Sequence, residues 1–94
     1  MNHRFLALAR LDVFALAEFF EDRQTGLGDR VIDAVEARAV ALGRQPHSGG
    51  RVNRCPRGRE IREVLVRPYS IIITYEIVPN EVVILSVVHG RSRR

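Results

Sequence analysis

Apolar positions recur every three or four residues in the first half of the chain and every second residue in its last third. The chain therefore reads as helices followed by strands. Between residues 10 and 23, Leu11, Phe14, Ala15 and Phe19 mark one helical face, and a second stripe runs through Leu16 and Phe20. Glu18, Glu21, Asp22 and Arg23 gather on the opposite side and at the end. Thr25-Gly26-Leu27-Gly28 then breaks the helix, glycine supplying the backbone freedom a tight link needs. A second helix over residues 29–42 puts Val31, Val35, Ala39 and Leu42 on one side and Arg30, Asp33, Glu36 and Arg38 mostly on the other. Asp29 suits its N-cap or first turn, and Gly43 the position just past its end. So short a link makes the pair an antiparallel hairpin. Ahead of it, residues 4–9 read as a short strand, although their alanines carry little β preference.

Residues 44–58 are rich in proline, glycine and arginine and read as a loop. Three strands follow, over residues 59–66, 69–78 and 81–89. In the middle one, Tyr69, Ile71, Ile73, Tyr75 and Ile77 share a face, with Ile72 and Val78 on the other. The last is apolar on both sides, as expected of a strand in the interior of a sheet covered on both faces. Pro79-Asn80 makes a hairpin connection, expected as a type I variant or a longer loop. The order is β-α-α-β-β-β, an α+β fold in which the helix hairpin packs on one side of a small, mostly antiparallel sheet. At 94 residues the chain has room for one domain, residues 1–94, with one modest core.

Charge sharpens the picture. All 15 strongly basic residues are arginine. Residues 1–43 carry a net −2 and residues 44–94 a net +6, so the second half is expected to meet an anionic surface. Arginine's planar fork suits phosphate and carboxylate alike. No apolar run approaches the ~20 residues that span a bilayer, no secretory signal is present, and the single Cys55 cannot form an intrachain disulfide. A cytoplasmic protein without a membrane partner is expected. His3, His47, His89 and Cys55 stand singly, without metal-site spacing, and no phosphate-binding glycine loop occurs. No metal and no cofactor are therefore expected.

The late arginines are the candidate chemistry. Arg59, Arg62 and Arg67 decorate the first late strand, while His89, Arg91, Arg93 and Arg94 lie at or beyond the end of the last. Neighbouring strands would gather these groups on one concave surface able to neutralise phosphates or dock an acidic protein. For Arg62, an ion pair with Glu63 is the structural alternative.

Several stretches together resemble the RelE/ParE superfamily of bacterial toxins from type II toxin–antitoxin systems. They are Ala9-Arg10-Leu11-Asp12 opening the first helix, Pro46 and Gly50 after the second, and Arg62-Glu63-Val64-Leu65-Val66-Arg67-Pro68-Tyr69. Ile72 and Tyr75 follow, and then the ending Val82-Val83-Ile84-Leu85-Ser86-Val87-Val88-His89-Gly90-Arg91. The likeness covers nearly the whole chain.

The resemblance implies one of two activities. RelE-like members are metal-free, ribosome-dependent mRNA endoribonucleases. They commonly use an arginine in the third-strand segment and a Tyr or His near the C-terminus. Here residues 69–75 contain no arginine and no tyrosine follows Tyr75, so a nuclease would rest on His89, Arg91 and Glu60. ParE-like members inhibit DNA gyrase, and the long amphipathic hairpin and His-Gly-Arg ending resemble that branch more. The resemblance then implies a toxin of the plasmid-stabilisation kind that inhibits growth through gyrase. Arg62, Arg67, His89 and Arg91 would form the target-binding surface. A cognate antitoxin with a ribbon-helix-helix DNA-binding domain and an acidic tail would join it in a hetero-oligomer. Leu11, Phe14 and Phe20 are the expected antitoxin contacts, with Phe19 expected in the core.

Overall fold

The computed structural model describes residues 1–53 and 55–92. Strand β1 (Asn2–Phe5) leads into helices α1 (Ala7–Arg23) and α2 (Leu27–Arg44). Strands β2 (Gly50–Arg51), β3 (Glu60–Val66), β4 (Ile71–Val78) and β5 (Glu81–His89) follow. They form one sheet in the order β1-β5-β4-β3-β2, antiparallel except where β1 runs parallel to β5. The expected α+β architecture holds. No helix among the described residues is long and apolar enough to cross a membrane.

The first strand starts and ends earlier than the expected residues 4–9, and α1 takes over at Ala7. Ala7, Leu8 and Ala9 are strong helix formers, and nothing in them favours the pleat. In α1 only one of the two apolar stripes meets the core. Ala9, Val13, Leu16, Ala17 and Phe20 are buried, whereas Leu11, Phe14 and Phe19 are 60%, 56% and 44% exposed. Phe19 is thus outside the core and Phe20 inside it, the reverse of expectation. The helix is apolar almost all round, so spacing alone does not select which stripe meets the sheet. The α2 stripe is as expected: Val31, Val35, Ala39 and Leu42 are fully buried.

Helix α2 starts at Leu27 behind Gly26, whose φ of 88° places it in the left-handed region, and it keeps Asp29 in its first turn. Gly43 lies inside the helix rather than beyond it, and its missing side chain is what lets the Met1 backbone pass close by. Across the hairpin, Glu21 accepts hydrogen bonds from the N–H groups of Gly26 (2.9 Å) and Gly28 (2.9 Å), so α1 supplies the carboxylate that opens α2.

The sheet core is Val64 and Val66 of β3, Ile71, Ile73 and Tyr75 of β4, and Val82, Ile84 and Val87 of β5. Val82, Ile84 and Val87 do not follow a period of two. Thr74 pairs with Ser86 but Tyr75 with Ile84, so Leu85 is an extra residue in a bulge. The bulge accounts for the break in alternation after Ile84, while Val83, buried on the face opposite Val82 and Ile84, is apolar there in its own right. The β4–β5 turn is two residues long, and Asn80 has a φ of 71°, which excludes the expected type I form. The loop after α2 is also more ordered than its composition implies, holding a 3-10 turn at Pro46–Ser48 as well as β2.

Candidate functional site

Strand β1 pairs with β5 only as far as Phe5 opposite Ile84, and the chain then turns, Leu6 N–H donating to the Ile84 carbonyl (3.0 Å). Beyond that point β5 keeps β4 on one side, but among the described residues its other edge has no strand beside it. Asp12 of α1 fills the gap in part, its carboxylate accepting the Val87 N–H at 3.0 Å. Between α1 and this open stretch lies a groove of about 590 Å³. Leu16, Phe20 and Val87 line its apolar part, and Arg23, His89 and Arg91 bring cationic or imidazole groups to it.

His89 is fixed from several sides. Its Nδ1 accepts the Arg91 N–H at 3.1 Å, so the neutral ring carries its proton on Nε2. The imidazole stands 6.2 Å from the Phe19 ring and 6.0 Å from that of Phe20, centroid to centroid. Phe20 in turn packs edge-on against Tyr69. The Arg23 guanidinium lies 4.3 Å above the Phe19 ring, a cation–π contact that holds a positive charge beside the groove. Among the described residues lining the groove, Asp12 is the only carboxylate, and β5 already engages it.

The expected single patch of late arginines divides in two. His89 and Arg91 share the groove, and exposed Arg67 follows β3 at the same end of the sheet, since Val66, Ile71 and His89 are in register. Arg62 is elsewhere. It pairs with Tyr75, four residues along β4 from Ile71, which is about 13 Å at the rise of a strand. Its side chain is 16% exposed, with Nε 3.0 Å from Glu60 and Nη1 donating to the Gly49 carbonyl at 2.7 Å. Arg62 therefore has a structural ion pair, but with Glu60 two residues back on the same face rather than with Glu63. Arg93 and Arg94 lie outside the described residues.

The nuclease constellation is dispersed as well. Glu60 pairs with Ile77 and His89 with Ile71, six residues apart on β4 and about 20 Å along the sheet. The Glu60 carboxyl is held low, chiefly by its hydrogen bond from Arg62 and further by the nearby charges of His47, Arg62 and Arg51. It is thus suited to a fixed anion rather than a proton shuttle. Of the expected antitoxin contacts, Leu11 and Phe14 stand exposed on α1, while Phe20 contributes only its edge of the groove. Sequence reasoning gave no role to Asp12 or Arg23. The four-residue step from Phe19 to Arg23 was the available signal for the second, since it stacks the two on one helical face.

A family model described as the ParE toxin of the type II toxin–antitoxin system parDE matches residues 4–94. Among solved structures, the chain resembles one described as the chromosomal ParDE toxin–antitoxin system from P. aeruginosa. That match has a TM-score of 0.66 and 15% identity and covers 95% of each chain. A search of curated proteins finds no match. The second comparison speaks for the fold alone, but the first spans almost every residue, from the opening strand through the groove to the C-terminal arginines: the chain belongs to the ParE toxin family of type II toxin–antitoxin systems.

Proposed function

We propose that this chain inhibits DNA gyrase in the cytoplasm and is neutralised by a cognate antitoxin seated in the groove between α1 and β5. The observation that carries the reading is the family match over residues 4–94, taken with the binding character of the groove. An apolar floor with Arg23, His89 and Arg91 around it fits a segment bearing alternate apolar and acidic side chains. The acidic tail of a ribbon-helix-helix antitoxin has that chemistry. Leu11 and Phe14 extend the contact along the outside of α1. The toxic surface is then Arg67, His89 and Arg91, with Arg62 left to its structural pairing.

Induction in cells, with and without the neighbouring small gene, tests the pair: growth arrest relieved by co-expression is expected. A supercoiling assay beside a primer-extension map of cellular mRNA tests the target. Loss of gyrase supercoiling without codon-specific cleavage supports the proposal. Cleavage that disappears with His89→Ala overturns it in favour of a ribonuclease.

A further inference from the structure

At the opposite corner of the sheet from the groove, two arginines and a histidine surround one carboxylate, and a third arginine stands nearby. Glu60 Oε2 lies 3.0 Å from Arg62 Nε and 3.3 Å from His47 Nε2. Arg51, on edge strand β2, sits directly across from Arg62, a like-charge pair that two strands ordinarily avoid. Arg38 approaches from α2, its charge and that of Arg62 both acting on the Tyr75 phenol. Neither Arg38 nor Arg51 takes part in any of the five ion pairs among the described residues. Three guanidinium groups against one carboxylate leave an excess of two positive charges even with His47 neutral.

The scaffold under this corner is rigid. Tyr75, fully buried, donates its hydroxyl proton to the Pro46 carbonyl (2.7 Å) and accepts the Gly49 N–H (3.0 Å). Arg62 holds the Gly49 carbonyl on the other side. The turn that carries His47 and leads into Arg51 is thus tied down at three points. A fixed cluster of like charges is costly unless a polyanion shares it.

We infer that Arg38, His47 and Arg51, positioned around the Arg62–Glu60 pair, form a binding site for the phosphate backbone of duplex nucleic acid. The geometry favours a duplex over a single strand because a single strand needs a platform of exposed aromatic rings for its successive bases, whereas here Tyr75 is buried and His47 alone presents a ring. Recognition is through phosphates alone and is therefore indifferent to sequence. The site is separate from the α1–β5 groove and stands whether or not gyrase is the target.

Fluorescence anisotropy of the full chain with a short labelled DNA duplex tests this across a salt series. Engagement of two or three phosphates predicts a log–log salt slope of about −2 to −3. Arg51→Glu is expected to weaken binding about tenfold or more, and the Arg38→Gln/Arg51→Gln pair to flatten the slope by about 2. Arg30→Ala, an exposed arginine at the start of α2, is the control and stays within twofold of the parent. Circular dichroism melting confirms that each variant folds; should Arg51→Glu not fold, the double glutamine variant carries the test. Salt-insensitive binding overturns the proposal, as does a Kd for the Arg38→Gln/Arg51→Gln pair within twofold of the parent. So does displacement of the duplex by poly-glutamate at matched charge, which would make an acidic protein the occupant. Tighter binding of single-stranded DNA or RNA than of duplex overturns it too.

Discussion

Tyr75 shows how one residue can serve the core and a loop together. Its ring is buried, while its hydroxyl holds both ends of the turn at Pro46 and Gly49. Burial pushes the phenol pKa up, so the neutral form that makes both bonds is the one the fold favours. Tyr75→Phe leaves a buried N–H and a carbonyl without their partner and is expected to cost about 1–3 kcal/mol in urea unfolding. Glu21 acts at the same scale through its charge. The N–H groups of Gly26 and then Gly28 hold its carboxyl below the usual range. A carboxyl depressed in this way stabilises the fold fully above the ordinary carboxylate range and loses that contribution as pH falls through its folded value. Glu21→Gln should therefore lower Tm near neutrality, and the gap to the parent should narrow as the pH falls below the ordinary carboxylate range.

Among the elements, the hairpin depends on a close approach. A side chain at Gly28 would meet the Ala17 carbonyl at 2.7 Å, so Gly28→Ala is expected to push the helices apart and cost about 1–3 kcal/mol in thermal or urea unfolding. Strand β5 depends on Asp12 in a comparable way. Asp12→Ala removes a charged acceptor from the Val87 N–H and should cost about 1.5–3 kcal/mol, with faster hydrogen exchange at that amide as the distinguishing measurement. Much at this scale was legible in the sequence. The α2 stripe, the buried face of β4 and the order of elements all follow from apolar spacing. Three things did not. The choice between the two stripes of α1 is made by the sheet, since Phe19 and Phe20 are equally apolar. The bulge at Leu85 breaks the alternation that identifies a strand's faces. Strand β2 exists only because Gly50 and Arg51 lie beside β3, a pairing that two residues cannot announce. For the site, His89 and Arg91 were recognisable, but the expected convergence with Arg62 depended on register, which the hydrophobic pattern leaves open by even numbers of residues.

For the whole molecule, the two-sided charge distribution acquires a geometry. One end of the sheet carries the groove with Arg23, His89 and Arg91, and the other edge carries Arg51 and Arg62, with Arg38 of α2 acting at the same corner. Under the proposed function, Arg91→Ala weakens inhibition in the supercoiling assay, whereas Arg62→Ala acts chiefly through stability, lowering Tm with the residual inhibition unchanged per folded molecule. Leu11→Glu and Phe14→Glu together are expected to reduce antitoxin affinity about tenfold or more in calorimetric titration while leaving the Tm of the free chain within a few degrees.

The pairing of Asn2–Phe5 with β5 joins residues from near the two ends of the sequence. During synthesis the hairpin emerges first, and its sheet-facing side has nothing to cover it until the final strand has left the ribosome. Such a long-range closure makes folding slower than in a fold built on local contacts. Under the proposed function, the groove is completed only once β5 is in place, which gives the antitoxin an occasion to meet the toxin as it closes.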